Sequence, residues 1–241
     1  MSKRNGKTFV LVHGAWHGGW CWHEVAEILR GRGHTVLTPT QTGLGERAHL
    51  LSGDIDLDLF VTDIANVLLW EDLRDVVLVG HSFGGNAVSG VADRMPDRIR
   101  QLTYLDAMML QDGQAPFDLL APEIVAARIQ AAQDSSGGLS LPPPPAAAFG
   151  VLDPKQGAWL EARLSPHPFN TFRSPLRLRG PVGNGLPARY ILCSDPIYGP
   201  LEKARQFARA SGWPVIALAT GHDAMLTAPQ ALAELLEQEP G

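Results

Sequence analysis

The chain has 241 residues, with 20 Lys and Arg against 25 Asp and Glu, giving a formal net charge of −5. Apolar residues make up 45% and charged residues 19%. This composition excludes a disordered chain and a dedicated nucleic-acid binder, and it fits one globular domain or one domain carrying a sizeable insertion.

The N-terminus, Met1 to Lys7, is short and polar and leads straight into a strand-like run. That leaves no room for a signal peptide, and no apolar run approaches the ~18 residues of a membrane span. The expectation is a cytoplasmic protein without a membrane partner. Continuous apolar runs then recur at Phe9–Val12, Val36–Leu37, Val76–Val79, Leu102–Leu105, Tyr190–Leu192 and Val215–Leu218. Runs of this kind, bounded by Gly or Pro, predict fully buried strands of a parallel sheet. Helical patterns lie between them at Glu24–Leu29, Leu59–Trp70, Gly84–Met95, Glu202–Ala210 and Pro229–Leu236. Strand alternating with helix predicts a doubly wound, mostly parallel α/β fold.

Residues 108–186 break the alternation. They show no convincing strand, helices near Ala121–Ala132 and Gln156–Leu164, and between these Ser135-Ser136-Gly137-Gly138 and the tetraproline Pro142–Pro145. A tetraproline favours an extended, unbonded conformation, so it reads as a surface spacer. The division expected is a core of residues 1–107 and 187–241 with a mainly helical cap, 108–186, over one end of the sheet.

Three loops carry chemistry. Gly80-His81-Ser82-Phe83-Gly84 is a G-x-S-x-G motif between an apolar strand and a helix. Such a tight turn lifts Ser82 Oγ above the sheet edge and presents the Phe83 amide at a helix N-terminus. Val12-His13-Gly14-Ala15-Trp16-His17-Gly18-Gly19-Trp20 follows the first strand at the edge where open α/β sheets hold their sites. There the Ala15 amide is the candidate second donor to a developing oxyanion, with Trp16 and His17 as candidate pocket residues. His13 and His17 have i,i+4 spacing, but the glycines around them disfavour a helix, and no metal is expected. Ala219-Thr220-Gly221-His222-Asp223-Ala224-Met225 follows the last strand, and His222 is the histidine placed to act as base for Ser82. Two carboxylates are candidates to orient it: Asp106, at the tip of Leu102–Leu105, and Asp195, after Tyr190–Leu192. Cys21 and Cys193 make no ligand or redox motif and read as buried small side chains.

Together Phe9–Trp22, Thr40–Arg47, the Ser82 elbow and Gly221–Met225 resemble the α/β-hydrolase superfamily. The likeness is to the branch of plant methyl-ester esterases, hydroxynitrile lyases and their bacterial relatives. The resemblance implies an ester hydrolase without a cofactor, using a Ser82–His222–Asp triad and the Ala15 and Phe83 amides. It is weakest over residues 112–186. The lyases carry threonine where Gly14 stands and lysine where Asp223 stands, which argues against cyanohydrin cleavage. Plant members carry the acid at the later strand, whereas bacterial relatives often show Leu-Asp-Ala, as here at 105–107. The assignment therefore leans to Asp106, with Asp195 as the alternative.

The expected substrate is a small to medium apolar or aryl ester. Phe117, Phe149, Phe169 and Phe172 supply apolar surface for either a pocket or the cap's own core. Five arginines at 163, 173, 177, 179 and 189, with no acidic residue from 163 to 193, either attract an anion or form a solvated face that ties cap to core. The same residues also suit a lactone, a thioester or a carbon–carbon bond as substrate, or a small-molecule receptor on the same fold.

Overall fold

Each of the six apolar runs becomes a strand of one sheet. The computed structural model describes residues 6–239. Residues 1–5, most of the segment read above as too short for a signal peptide, lie outside the described residues, as do 240 and 241. In chain order the core begins with β1 (Thr8–Val12), α1 (His23–Gly31), β2 (Thr35–Leu37), α2 (Leu57–Trp70), β3 (Val76–His81), α3 (Gly84–Arg94) and β4 (Ile99–Leu105). An insert follows, with α4 (Pro122–Ser136), β5 (Ser140–Leu141), α5 (Pro154–Glu161), β6 (His167–Pro168) and α6 (Asn170–Arg173). The core resumes with β7 (Ala188–Cys193), α7 (Glu202–Ala210), β8 (Val215–Leu218), α8 (Ala224–Thr227) and α9 (Pro229–Glu237).

The sheet order is β2-β1-β3-β4-β7-β8, with every pairing parallel. The central strands β1, β3, β4 and β7 are buried on both faces, and their alternate side chains feed two cores; the edge strands β2 and β8, expected to be fully buried, are covered only in part because each has a neighbour on one side alone. Val10, Val12, Leu78 and Tyr104 pack with α2, α3 and α7. Phe9, Leu11, Val77, Val79 and Ile191 pack with α1, α8 and α9. Fully burying each such side chain contributes about 1.5–3 kcal/mol, so the central strands are fixed in register. From β1 the chain runs outward to β2 and then crosses to β3 on the other side. The resulting switch point between β1 and β3 opens a crevice at the C-terminal strand ends.

The insert departs from its sequence reading in two places. It contains strands, β5 and β6, paired antiparallel as Ser140 with Pro168 and Leu141 with His167. Two-residue strands are too short to leave a periodic signal. Ser135-Ser136 belong to α4, which ends when Gly137 turns left-handed (φ 64°) and the Gly137 and Gly138 amides donate back to the Gln133 and Ala132 carbonyls. Cys21 and Cys193 are buried and free. Among the described residues no helix is long and apolar enough to cross a membrane.

Candidate active site

Ser82 sits between β3 and α3 with φ 51°, a left-handed backbone that a serine adopts only under constraint. Backbone hydrogen bonds supply the constraint. The Ser82 amide donates to the Leu105 carbonyl (3.1 Å), and the Ser82 carbonyl accepts from the Met108 amide (2.9 Å). The turn also depends on close packing, because a Cβ on Gly84 would lie 2.5 Å from the His13 carbonyl oxygen.

His222 reaches Ser82 from the loop after β8. Its Nε2 accepts from Ser82 Oγ–H at 2.8 Å, and its Nδ1–H donates to Asp106 Oδ2 at 2.7 Å. Asp106 is fully buried with φ 37°, and its amide donates to the Ile191 carbonyl at 2.7 Å. The Arg205 guanidinium lies 3.6 Å from its other oxygen. Asp195 is exposed and touches this loop through its backbone amide, which donates to the Thr220 carbonyl. Of the two candidate acids, Asp106 is thus the one beside His222. Tyr198 stacks on the imidazole at 4.3 Å between ring centroids.

The loop after β1 runs beside this serine. Ala15 and Phe83 line one cavity with Ser82, and among the described residues neither amide donates to a protein acceptor. Trp16 is left-handed (φ 66°) and is held there from the insert. Its amide donates to His167 Nδ1 (3.2 Å), its indole N–H to the Leu141 carbonyl (3.2 Å), and its carbonyl accepts from the Ser165 amide (2.9 Å). His167 Nε2–H donates to Thr171 Oγ1, whose own proton goes to the Pro168 carbonyl. Burial, then the charges of His13, Arg128 and His17, push the His167 pKa well below the usual histidine value, which keeps Nδ1 free to accept.

Behind His222 lies a second histidine–carboxylate pair. His17 Nδ1–H donates to the Ala15 carbonyl (2.8 Å) and Nε2–H to Asp223 Oδ2 (2.9 Å), with both side chains buried. Burial alone would lower the His17 pKa. The Asp223 carboxylate more than reverses this by charge and hydrogen bond, and the net shift is upward. Burial would raise Asp223, but His17, then His81 and His222, bring it below the usual carboxylate value. His81 Nε2–H donates to the His222 carbonyl at 3.0 Å. Burial, then the charge of His222, pushes His81 well down. His13 donates to the Gly14 carbonyl and accepts from the Gln41 amide, and burial takes its pKa to about 3.

Among the described residues His81, His222 and Asp223 are near enough to share an ion. Both ring nitrogens of His222 are already hydrogen-bonded, and Asp223 is paired with His17, so the cluster reads as a hydrogen-bond network.

A cavity of about 40 Å³ holds Ser82. A larger, mainly apolar cavity of about 590 Å³ lies between α4, the prolines and Phe149. Trp16, Arg128 and Tyr198 line both. Pro142, Pro143 and Pro144 are therefore wall residues rather than a bare spacer. Trp16 and Phe149 lie on the cavity walls, whereas His17 and Phe117 do not. His17 is turned toward Asp223, and Phe117 packs on Phe169 and Phe172.

The five arginines lie off both walls. Arg189 is buried, bonding Thr103 and the carbonyls of Leu236 and Gln238. Arg179 pairs with Asp93, Arg163 and Arg173 lie over Trp159 and Phe169, and Arg177 borders a surface cleft with Asp112. Tyr198, Arg128 and His167 carry no local motif and were not singled out from sequence.

The chain matches the family described as the alpha/beta hydrolase family over residues 9–235. It is 42% identical over 239 residues to a "Carbendazim hydrolyzing esterase" of Nocardioides sp. (strain SG-4G), covering 95% of this chain and 98% of that one. It is 27% identical over 254 residues to "Methylesterase 7" of Arabidopsis thaliana, covering 98% and 97%. Among solved structures it is similar to an extracellular alpha/beta-hydrolase from a Paenibacillus species, with TM-score 0.84, 27% identity and coverage of 97% and 99%. That protein is described as sharing structural and functional homology with Tobacco Salicylic Acid Binding Protein 2. The chain belongs to the alpha/beta hydrolase family, in its esterase branch. It is a carboxylesterase-type hydrolase.

Proposed function

We propose that the enzyme hydrolyses a small to medium apolar or aryl ester by two-step acyl transfer, with Ser82 as nucleophile, His222 as base and acid, and Asp106 as the residue that orients it. The observation that carries this reading is the continuous chain Ser82 Oγ, His222 Nε2, His222 Nδ1, Asp106 Oδ2, with links of 2.8 and 2.7 Å. Ser82 Oγ attacks the ester carbonyl carbon while His222 Nε2 takes the hydroxyl proton. The carbonyl oxygen becomes an oxyanion held by the Ala15 and Phe83 amides. His222 returns the proton to the leaving alkoxide, and the alcohol departs. Water then attacks the acyl-enzyme, giving its proton to His222, and Ser82 leaves with that proton. Residues 108–186 act as a cap over the core of 1–107 and 187–241. The cavity at Ser82 is small, which suits a small leaving alcohol. Relatives named methylesterases support that choice, and the larger apolar cavity suits the acyl or aryl body.

The test is covalent trapping. An alkyl fluorophosphonate is expected to add one phosphonyl group per chain, located by peptide mass spectrometry on Ser82 and absent in Ser82→Ala. Labelling at another residue, or none under conditions where p-nitrophenyl acetate is turned over, would sink the assignment. Saturable ligand binding without turnover would instead favour the receptor reading.

The support of Trp16 yields a second expectation. His167→Ala removes the acceptor of the Trp16 amide and frees a strained loop that supplies an oxyanion donor. It should lower kcat about ten- to hundredfold with KM little changed. Steady-state kinetics alongside a thermal melt of the variant would check it.

A further inference from the structure

The cavity at Ser82 is lined by eleven residues, and Arg128 alone among them carries a charge. Arg128 lies on the cavity-facing stripe of α4, with Ile124, Ala127 and Ala131 beside it on the larger cavity and Glu123, exposed and not paired with it, on the same wall. Among the described residues its guanidinium makes neither an ion pair nor a protein hydrogen bond. It lies 5.2 Å over the Phe172 ring, and burial lowers its pKa with Tyr198 alone acting against that. A half-buried guanidinium has lost part of its hydration, and five N–H donors are left without protein acceptors. The chain around it is net acidic, yet no carboxylate pairs with this cation.

Resting on the reading of Ser82 as nucleophile, we propose that Arg128 is a specificity-determining residue that binds a carboxylate on the substrate. This narrows the ester class proposed above: the apolar body ends in a carboxylate, as in a half-ester of a dicarboxylic acid or another ester with a carboxylate a few bonds from the scissile carbonyl. One planar fork matches one planar monoanion, and the apolar walls that surround it suit a hydrocarbon spacer. A phosphate dianion would need more positive charge than one arginine supplies. The shared lining of the two cavities puts Arg128 where it reaches a substrate whose ester lies at Ser82 and whose body extends under α4.

The test separates binding from turnover. In the Ser82→Ala background, calorimetry compares monomethyl glutarate with methyl valerate, a neutral ester of similar length. The half-ester is expected to bind about ten- to hundredfold more tightly, the range of a charge-assisted hydrogen bond or pair. In Ser82→Ala/Arg128→Leu that preference should vanish, and in Ser82→Ala/Arg128→Lys it should return in part. Equal binding of the two esters, or an undiminished preference without Arg128, overturns the proposal. With Ser82 intact, Arg128→Leu should lower the kcat/KM ratio of half-ester to neutral ester by the same factor. Turnover of both esters that survives Ser82→Ala would instead overturn the nucleophile and leave the binding result standing.

Discussion

Ser82→Ala is expected to lower kcat/KM on any accepted ester by about 10⁴- to 10⁶-fold, and Asp106→Asn by about 10³- to 10⁴-fold. Asp195→Asn should stay within about threefold, because its carboxylate is exposed and takes no part in the site. The physical difference lies in the tautomer of His222. Asp106 Oδ2 accepts from Nδ1–H, which leaves Nε2 as the acceptor facing Ser82. Asparagine at 106 offers an N–H as readily as an oxygen and releases the imidazole to the wrong tautomer, in which Nε2 already carries a proton and cannot take one from Ser82. Arg205 would still hold the Tyr198 carbonyl and Glu202, so folding should persist. The measurement is kcat/KM for the three variants on a p-nitrophenyl ester. An Asp195 variant as crippled as the Asp106 variant would overturn the assignment of the acid.

Asp223→Ala is expected to destabilise the fold by about 3–5 kcal/mol, since it leaves the buried His17 ring without the carboxylate that pairs with it. For a chain of this size that corresponds to a fall in Tm of roughly 6–20 °C. The double variant His17→Leu/Asp223→Ala should recover much of the loss, and a double-mutant cycle from thermal melts measures the coupling. The pair also sets a pH window. His17 titrates above its ordinary value of 6.5 when folded, so its contribution is complete below 6.5 and is lost as pH rises through the raised folded value. Asp223 titrates below its ordinary value of 3.8, so its contribution is complete above 3.8 and is lost as pH falls through the lowered one. Stability referred to the double variant should therefore peak between 3.8 and 6.5 and decline as the pH rises above 6.5. A flat difference from pH 5 to 9 would show that the pair is not ionic.

The core and two of the three side chains of the proposed triad have signals in the sequence because those signals are local. A buried parallel strand is a run of adjacent apolar residues, and the elbow around Ser82 is a pentapeptide whose glycines are dictated by close contact with α3, for Gly80, and with the end of β1 and His13, for Gly84. The choice between Asp106 and Asp195 is not local. Both follow neighbouring strands at the same sheet edge, and the outcome depends on how the chain leaves each strand. After β4 it turns left-handed at once and drives Asp106 inward, whereas Asp195 lies on a turn that faces water. Arg128, His167 and Tyr198 were invisible for the same reason. Arg128 and His167 are single residues in an insert whose order comes from tertiary contacts, such as the two-residue pairing of β5 with β6, and Tyr198 is a single residue in the loop between β7 and α7. The histidine at 17 had a motif but not a meaning, because its partner lies 206 positions later.

The insert is sewn into the loops after β1 and β8. His167, Leu141 and Ser165 hold Trp16, and the Phe149 carbonyl accepts from the Asp223 amide. Gly150 (φ 74°) presses so closely on the His222 loop that a Cβ there would meet Gly221 Cα at 2.7 Å. The insert and the core are consequently not interchangeable modules. Grafting this segment from a relative, the ordinary route to a new substrate range, would carry the geometry of the β1 and β8 loops with it, so recognition and rate would shift together. Selection for a new ester can spare the rate by altering positions such as 124, 127 and 142–144, which line the larger cavity without bracing the loops after β1 and β8.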